Sequence, residues 1–320
     1  MPPRLFVLAL ASLATFASHA DDVASLPASA ANVPEEVVVS APEPRYVAPT
    51  LRDRIGRVWA PVYLNGQGPF RLVLDTGANR SAVTQSLATR IAAPIKPAAV
   101  RLLGVTGTSV VSTIHVDSIE VGDLWLGNRQ LAIVEDVFGG AEGILGADGL
   151  SDKRISIDFR NDQISILRSS GTVRAEGFTR VPVKIRHGHL LMFDVRLAGV
   201  RTKAMLDTGA QITVGNTSLR QALARKARHG VASNIIGVTL DVQEGEAFDA
   251  PPVNIAEVTI RGMRVTFGDL YIFEAWKMKD EPALLIGMDV IGLLDSLIID
   301  YKRRELHLRP PRGMSEDTGF

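Results

Sequence analysis

The stretch FRLVLDTGA at residues 70–78 returns as TKAMLDTGA at residues 202–210, with the two aspartates 132 positions apart. In both copies an apolar run ends at Asp-Thr-Gly-Ala. Flanking segments repeat in the same order: GVT at 104–106 and 237–239, and an apolar pair followed by glycine at 144–146 and 285–287. Ordered matches at similar spacing indicate duplication of one unit. The sequence therefore predicts two related lobes.

The pattern inside each lobe is mainly that of β-structure. Short runs rich in Val and Ile are separated by Gly, Asn and Asp turn signals. Strands are expected at residues 59–64, 71–74, 110–121, 129–134, 253–265 and 270–274. A closing strand pair is expected at 155–159 with 163–167, and again at 297–301 with 305–308. Helices are expected at 81–91 and 216–228, with further helix starts at 148–150 and 289–294. The predicted fold class is all-β, in two pseudo-symmetric lobes with short helices.

The N-terminus has the pattern of an export signal. Arg4 precedes an uncharged, mostly apolar run to Ser18, and small residues at Ser18 and Ala20 fit a cleavage site after Ala20. The run is short for a membrane span. We expect a periplasmic or secreted protein, or a membrane-anchored one if the signal stays uncleaved.

The predicted boundaries divide the chain into six segments. They are a signal peptide at 1–20, a proline-rich tether or pro-segment at 21–50, an N-terminal lobe at 51–168, a linker at 169–180, a C-terminal lobe at 181–310 and a tail at 311–320. Proline at the density of residues 21–50 interrupts helices and central strands. Within that segment only residues 37–39 suggest a short edge strand.

Composition excludes several kinds of chemistry. Lys plus Arg and Asp plus Glu both number 35 in 320 residues, so no net field favours nucleic acid. Cysteine is absent, which excludes disulfides, thiolate nucleophiles and cysteine metal sites. Catalysis would have to use oxygen and nitrogen groups.

Two Asp-Thr-Gly turns, one from each lobe, could place Asp75 and Asp207 face to face. Two carboxyl groups within about 3 Å share a proton, because ionising both is costly. The pair then holds one base and one acid, and can take a proton from water while giving one to a carbonyl oxygen or a departing amine. No metal or other cofactor is required.

These residues resemble the retropepsin-like branch of the aspartic proteases, in its bacterial single-chain, duplicated form. The resemblance rests on the two Asp-Thr-Gly-Ala turns and the two apolar-apolar-Gly segments, and covers roughly residues 57–310. It implies an aspartic endopeptidase with its active site at the lobe interface. It also implies a protein or peptide substrate and a monomer, because one chain supplies both half-sites.

The resemblance also assigns roles to the repeated residues. Asp75 and Asp207 would be the catalytic pair, and Thr76 and Thr208 would interlock the lobes by hydrogen bonds to main chain. The remaining members of the turns would support the site or line the cleft: Gly77, Ala78, Gly209 and Ala210. Flaps that close over the peptide would include residues 104–112 and 237–246.

Ala78 and Ala210 depart from pepsin-type lobes, which usually place Ser or Thr there. Alanine cannot donate to the carboxylate, and losing a donor raises a carboxyl pKa. We therefore expect activity at less acidic pH than that of a stomach enzyme.

Several alternatives stay open at this point. The fold could bind peptides without cutting them, since fold does not fix function. A glycosidase pair needs carboxyl groups about 5 Å or more apart, and hard metals need more oxygen ligands than two aspartates supply. Asp148 and Asp289, which also repeat, are expected to act as helix N-caps. His187 and His189 fit a solvated turn better than a metal site.

Overall fold

A computed structural model describes residues 46–49, 56–121, 124–136, 139–173, 176–223 and 230–311. All of them belong to one compact unit that begins at residue 43. The predicted signal peptide, the possible strand at 37–39 and nearly all of the predicted tail lie outside the described residues. No helix in the described ranges is long and apolar enough to cross a membrane.

The described residues of the first half of the chain form twelve short strands and one short helix. Its strands are β1 (Tyr46–Pro49), β2 (Trp59–Leu64), β3 (Gln67–Leu74), β4 (Ala82–Thr84), β5 (Ile95–Leu103), β6 (Thr108–Val116), β7 (Ile119–Val121), β8 (Leu124–Leu126), β9 (Arg129–Val134), β10 (Gly143–Leu145), β11 (Lys153–Asp158) and β12 (Gln163–Arg168). Helix α1 (Gln85–Arg90) follows β4, and the Thr84 side chain caps it by accepting from the Leu87 N–H.

The second half repeats this pattern. Its strands are β13 (Thr179–Pro182), β14 (Lys184–Arg186), β15 (Leu190–Leu197), β16 (Val200–Leu206), β17 (Val214–Gly215), β18 (Val231–Ile236), β19 (Val242–Asp249), β20 (Val253–Ile255), β21 (Val258–Ile260), β22 (Arg264–Phe267), β23 (Ala283–Ile286), β24 (Ser296–Asp300) and β25 (Glu305–Arg309). Its helices are α2 (Thr217–Ala222), α3 (Tyr271–Ala275) and α4 (Met288–Ile291).

The two lobes share one strand order. Within the described residues the N-terminal sheet runs β5-β6-β9-β4-β10-β3-β2-β7-β8. The C-terminal sheet runs β18-β19-β22-β17-β23-β16-β15-β20-β21, with β14 added beside β15. Each strand of the first order has its counterpart at the same place in the second. The prediction of an all-β chain with two pseudo-symmetric lobes is confirmed.

A third sheet, of six strands in the part of the chain described, joins the lobes in the order β1-β12-β11-β24-β25-β13. Its two central strands, β11 and β24, come one from each half and place Ser156 opposite Ile298. Apolar side chains on these strands are no more than 1% exposed: Ile155, Ile157, Leu297 and Ile299. Burying each of them contributes about 2 kcal/mol of transfer free energy, so the junction is part of the core.

Strand β1 lies within the stretch predicted as a tether. It pairs with β12 at the edge of the six-stranded sheet, with Pro49 opposite Gln163. An edge strand tolerates proline because one side of it has no ladder to complete.

The prediction of a strand at residues 270–274 is wrong. Helix α3 occupies Tyr271–Ala275 and buries Ile272 and Phe273 in a cluster that includes Met278. A short apolar run fits either a strand or a buried helical turn. Here the helix buries Ile272 and Phe273 in the apolar cluster.

The predicted helices are shorter than expected. In the range 81–91 the helix begins only after strand β4, and in the range 216–228 helix α2 ends at Ala222, with 224–229 outside the described residues. Residues 148–150 form a turn rather than a helix start.

Candidate active site

Each Asp-Thr-Gly turn follows a strand whose last residues are buried. Strand β3 pairs in parallel with β10, and β16 pairs in parallel with β23. The ladders continue into the turns, since the Asp75 N–H donates to the Leu145 carbonyl and the Asp207 N–H to the Ile286 carbonyl, both at 3.0 Å. The backbone therefore fixes where both carboxyl groups emerge.

Both carboxyl groups are held by their own turns in the same way. One oxygen, Oδ1, accepts the backbone N–H groups of the residues two and three positions further on. The distances are 2.8 and 2.9 Å from Gly77 and Ala78 to Asp75, and 2.9 and 3.1 Å from Gly209 and Ala210 to Asp207. The second oxygen, Oδ2, takes no part in this pattern.

The glycines bring the two carboxyl groups together. A Cβ added to Gly77 would lie 2.5 Å from Oδ2 of Asp207, and one added to Gly209 would overlap the Asp75 carboxyl group. Neither glycine has a positive φ, so it is close approach that requires glycine here. Each aspartate thus lies against the opposite turn, and the structure brings the two together at the lobe interface.

The two threonines join the lobes beneath the aspartates. The Thr76 hydroxyl donates to the Leu206 carbonyl at 2.9 Å, and the Thr208 hydroxyl to the Leu74 carbonyl at 2.6 Å. Each hydroxyl also accepts the backbone N–H of the other threonine at 3.1 Å. Both side chains are buried. The interlocking hydrogen bonds that the family resemblance implied are present.

The two aspartates differ in their surroundings. Burial raises the pKa of the Asp75 carboxyl, while the hydrogen bonds from Ala78 and Gly77 oppose the rise. Burial and the nearby negative charge of Asp75 raise the pKa of Asp207 well above its ordinary value. Asp207 is only 7% exposed, whereas Asp75 is half-buried. Burial therefore favours the protonated form of both carboxyl groups, and more strongly that of Asp207.

Asp148 and Asp289 accept hydrogen bonds from the loops that follow the Asp-Thr-Gly turns, and they do not cap helices. Asp148 accepts from the N–H and hydroxyl of Ser81, and Asp289 accepts from the N–H and hydroxyl of Thr213, at 2.7–2.9 Å. The N-cap of α4 is Gly287, and Asp289 lies inside that helix. The N-cap prediction is wrong because these carboxyl groups bind the loops that follow the Asp-Thr-Gly turns.

The two turns predicted to be flaps contact each other and the opposite lobes. Their turns lie at residues 104–107, between β5 and β6, and at 237–241, between β18 and β19. Val105 packs against a C-terminal cluster that includes Met205 and Phe273, and Val238 against an N-terminal cluster that includes Trp59. The Thr106 and Thr239 hydroxyl groups lie 3.4 Å apart. Each flap tip thus reaches the opposite lobe.

The sequence did not single out two buried groups near the pair. The positive charge of Arg57, which is buried, opposes the rise in the pKa of Asp75. Tyr301 is buried too, and burial together with the Asp75 charge raises the pKa of its hydroxyl. Arg57 lies outside the repeated segments. Tyr301 ends the repeated strand predicted at 297–301, but the matching residue of the first lobe is Phe159, so the repeat gave no signal for a hydroxyl group.

His189 differs from its prediction as part of a solvated turn. His187 is exposed, but His189 is buried and its Nε2 lies 3.0 Å from the Gly77 carbonyl oxygen. In the part of the chain described, no three His, Cys, Asp or Glu side chains are placed to hold a metal ion.

Two similar β lobes that each contribute an Asp-Thr-Gly turn to one interface have the architecture of an aspartic protease. A family model described as "Aspartyl protease" matches residues 60–148 and 193–290, which together make up more than half of the chain. The chain belongs to this aspartyl protease family. The family's unit matches twice, once in each lobe, which supports the internal repeat.

Comparison with solved structures gives similarity to the crystal structure of basic 7S globulin from soybean. The TM-score is 0.46 at 13% sequence identity, covering 84% of this chain and 95% of the globulin chain. No curated protein matches the sequence.

Proposed function

We propose that the chain is an exported aspartic endopeptidase in which Asp75 and Asp207 share one proton and activate water. The observation that supports this most is the placement of each carboxyl group against the glycine of the opposite turn. Membership of the aspartyl protease family supports peptide-bond hydrolysis as the reaction.

The difference in exposure between the aspartates supports separate roles for them. Asp75 is the carboxylate and takes a proton from a water molecule bound between the two groups. Asp207 carries the proton and donates it to the carbonyl oxygen of the peptide as the water oxygen attacks the carbonyl carbon. The product is a tetrahedral diol, formed by general acid–base catalysis with no covalent bond to the protein.

Collapse of the diol completes the reaction. The proton that Asp75 acquired passes to the amide nitrogen, the C–N bond breaks, and the amine leaves. A diol hydroxyl returns its proton to the pair as the new carboxyl group forms. The pair ends as it began, with one proton between two carboxyl groups, so neither metal nor cofactor enters the cycle.

The flaps control access to this site. Val105 and Val238 pack against opposite lobes, so their tips must separate before a peptide can reach the aspartates. A peptide bound in extended form beneath them could pair with exposed backbone groups as an added strand. Closure of the flaps over it would then exclude bulk water from the carboxyl pair.

The partner and the location belong to the same proposal and rest on the sequence. The substrate would be a protein or peptide of the periplasm or cell envelope, reached through the signal at residues 1–20. The enzyme would act as a monomer, because one chain provides both turns.

The test is cleavage of an unfolded protein by residues 21–320, read by mass spectrometry from pH 3 to pH 8. The parent chain should cut, and Asp75→Asn and Asp207→Asn should each lose at least about 10³-fold in rate, since each removes one half of the acid–base pair. Asp194→Asn, which changes an exposed carboxyl group on β15, is the matched control and should cut normally.

Two outcomes would contradict the proposal. Cleavage by both active-site variants would mean that another site, or a contaminant, does the cutting. If the folded parent binds the unfolded protein but never cuts it, the chain is a peptide-binding module on the same fold.

A further inference from the structure

His189 makes a contact between the lobes that the repeat does not explain. It follows the tight turn between β14 and β15, where His187 and Gly188 both have positive φ. Its backbone N–H donates to the Arg186 carbonyl at 3.1 Å. The side chain then reaches from the C-terminal lobe to Gly77 in the N-terminal lobe, 112 residues away in sequence.

Both ring nitrogens of His189 face backbone carbonyl oxygens. Nδ1 lies 2.9 Å from the His187 carbonyl, and Nε2 lies 3.0 Å from the Gly77 carbonyl. A carbonyl oxygen only accepts, so the ring must be the donor at each bond that forms. A ring protonated on Nε2 donates to Gly77, and a doubly protonated ring donates to both oxygens.

Gly77 lies between the two carboxyl groups. Its N–H donates to Oδ1 of Asp75 at 2.8 Å, and its Cα faces Oδ2 of Asp207 so closely that a Cβ would not fit. A shift of this peptide would lengthen the bond to Asp75 and change the gap to Asp207. The group that fixes the Gly77 carbonyl therefore also helps to fix the distance between the two aspartates.

We propose that His189 is a positioning residue for the reaction: through Nε2 it holds Gly77, and with it the Asp75 turn, against Asp207 from the opposite lobe. The inference rests on the proposed peptidase function. His189 need not touch the substrate, because its effect passes through the Gly77 peptide.

Two substitutions separate the Nε2 contact from everything else the ring does. Glutamine places an amide N–H about as far from the backbone as Nε2, whereas asparagine reaches only about as far as Nδ1. Both remove the imidazole ring. His187→Asn is the matched control, because His187 is exposed in the same turn and asparagine tolerates its positive φ.

The first readout is steady-state kinetics. His189→Asn should lower kcat about tenfold with KM nearly unchanged, because displaced catalytic groups slow the chemical step more than binding. His189→Gln and His187→Asn should stay within about threefold of the parent, since the first keeps a donor for Gly77. Equal losses of kcat in the Asn and Gln variants of His189 would overturn the proposal, as would a change confined to thermal stability.

The second readout needs no substrate and so separates this inference from the proposed function. A carbon-13 NMR titration of the aspartate carboxyl groups reports the apparent pKa values of the pair. His189→Asn should raise them more than His189→Gln, because a loosened Gly77 donates less well to Asp75. If the two variants titrate alike, the inference fails whether or not the parent cuts peptides. If the parent does not cut but the variants differ, only the proposed function fails.

Discussion

The two Asp-Thr-Gly-Ala turns are identical in sequence and in their internal hydrogen bonds, yet their surroundings differ. In the N-terminal turn Asp75 is half-buried, lies near the positive charge of Arg57 and has His189 against its glycine. In the C-terminal turn Asp207 is almost fully buried and faces the negative charge of Asp75. The duplicated motif provides two carboxyl groups, and under the proposed function their different neighbours make Asp75 the base and Asp207 the acid.

The threonines test the symmetric part of this comparison. Thr76→Val and Thr208→Val should each lower the free energy of unfolding by about 3 kcal/mol, because each leaves a buried carbonyl and a buried N–H of the opposite lobe without partners. Chemical denaturation measures the loss. Thr259→Val, in a partly exposed pair with Asn254, should cost less than about 0.5 kcal/mol. A much larger loss of unfolding free energy at one threonine than at the other would show that the two turns do not contribute equally to the lobe interface.

The glycines test how closely the turns must approach. Gly77→Ala and Gly209→Ala should each reduce kcat about 100-fold, because the new Cβ displaces the opposite carboxyl group. Steady-state kinetics on folded protein measures the change. Gly199→Ala has open space around its Cβ position but a positive φ, so it controls for stability loss without touching the site. Full activity in either site variant would show that the opposite carboxyl group lies farther from that glycine than described.

The buried proton should appear in the pH dependence of stability. Folding raises the pKa of Asp207, so the folded protein holds this proton more tightly than the unfolded chain does. The resulting contribution to the free energy of unfolding is complete at low pH. It is lost as the pH rises above the unfolded pKa of about 3.9. Asp207→Asn should therefore stabilise the protein by about 1 kcal/mol at pH 7 and by less at pH 5.

The same measurement on Asp75→Asn sharpens the comparison. Asp75 is more exposed and its pKa is raised less, so the gain at pH 7 should be smaller than that of Asp207→Asn. Denaturation at the two pH values checks this difference. A larger gain from Asp75→Asn would reverse the assignment of acid and base.

The alanines allow the finest adjustment. A serine hydroxyl that donates to a carboxylate lowers its pKa. Ala210→Ser should favour ionisation of Asp207 and reduce activity at pH 7 about threefold, whereas Ala78→Ser should extend activity to lower pH by keeping Asp75 ionised. The pH profile of kcat/KM distinguishes the two. If both variants shift the same limb of the profile, the aspartates do not have separate roles.

The repeat made the architecture predictable. The two copies of the turn and the ordered matches around them predicted two β lobes and the partnership of Asp75 with Asp207, because such matches depend on sequence alone. The threonine hydrogen bonds were expected from family resemblance. The flap regions were expected too, but their tips were not, since Val105 and Val238 find their contacts only in the opposite lobe.

What the sequence could not predict depends on tertiary contacts. Helix α3 was predicted as a strand because a short apolar run suits both. Asp148 and Asp289 were predicted as helix caps because aspartate is a favoured N-cap residue. Their actual partners, Ser81 and Thr213, are too far away in sequence to be predicted from it. His189 was predicted to lie in a solvated turn with His187, because its contact with Gly77 in the other lobe forms only in the folded chain.

The central claim is that two identical turns hold their carboxyl groups in different protonation states. A carbon-13 NMR titration of the parent, with Asp75→Asn and Asp207→Asn to assign the resonances, tests it most directly. We predict that Asp75 ionises first and that Asp207 stays protonated to a clearly higher pH. Two carboxyl groups titrating independently, both near the ordinary value of about 3.9, would contradict the account.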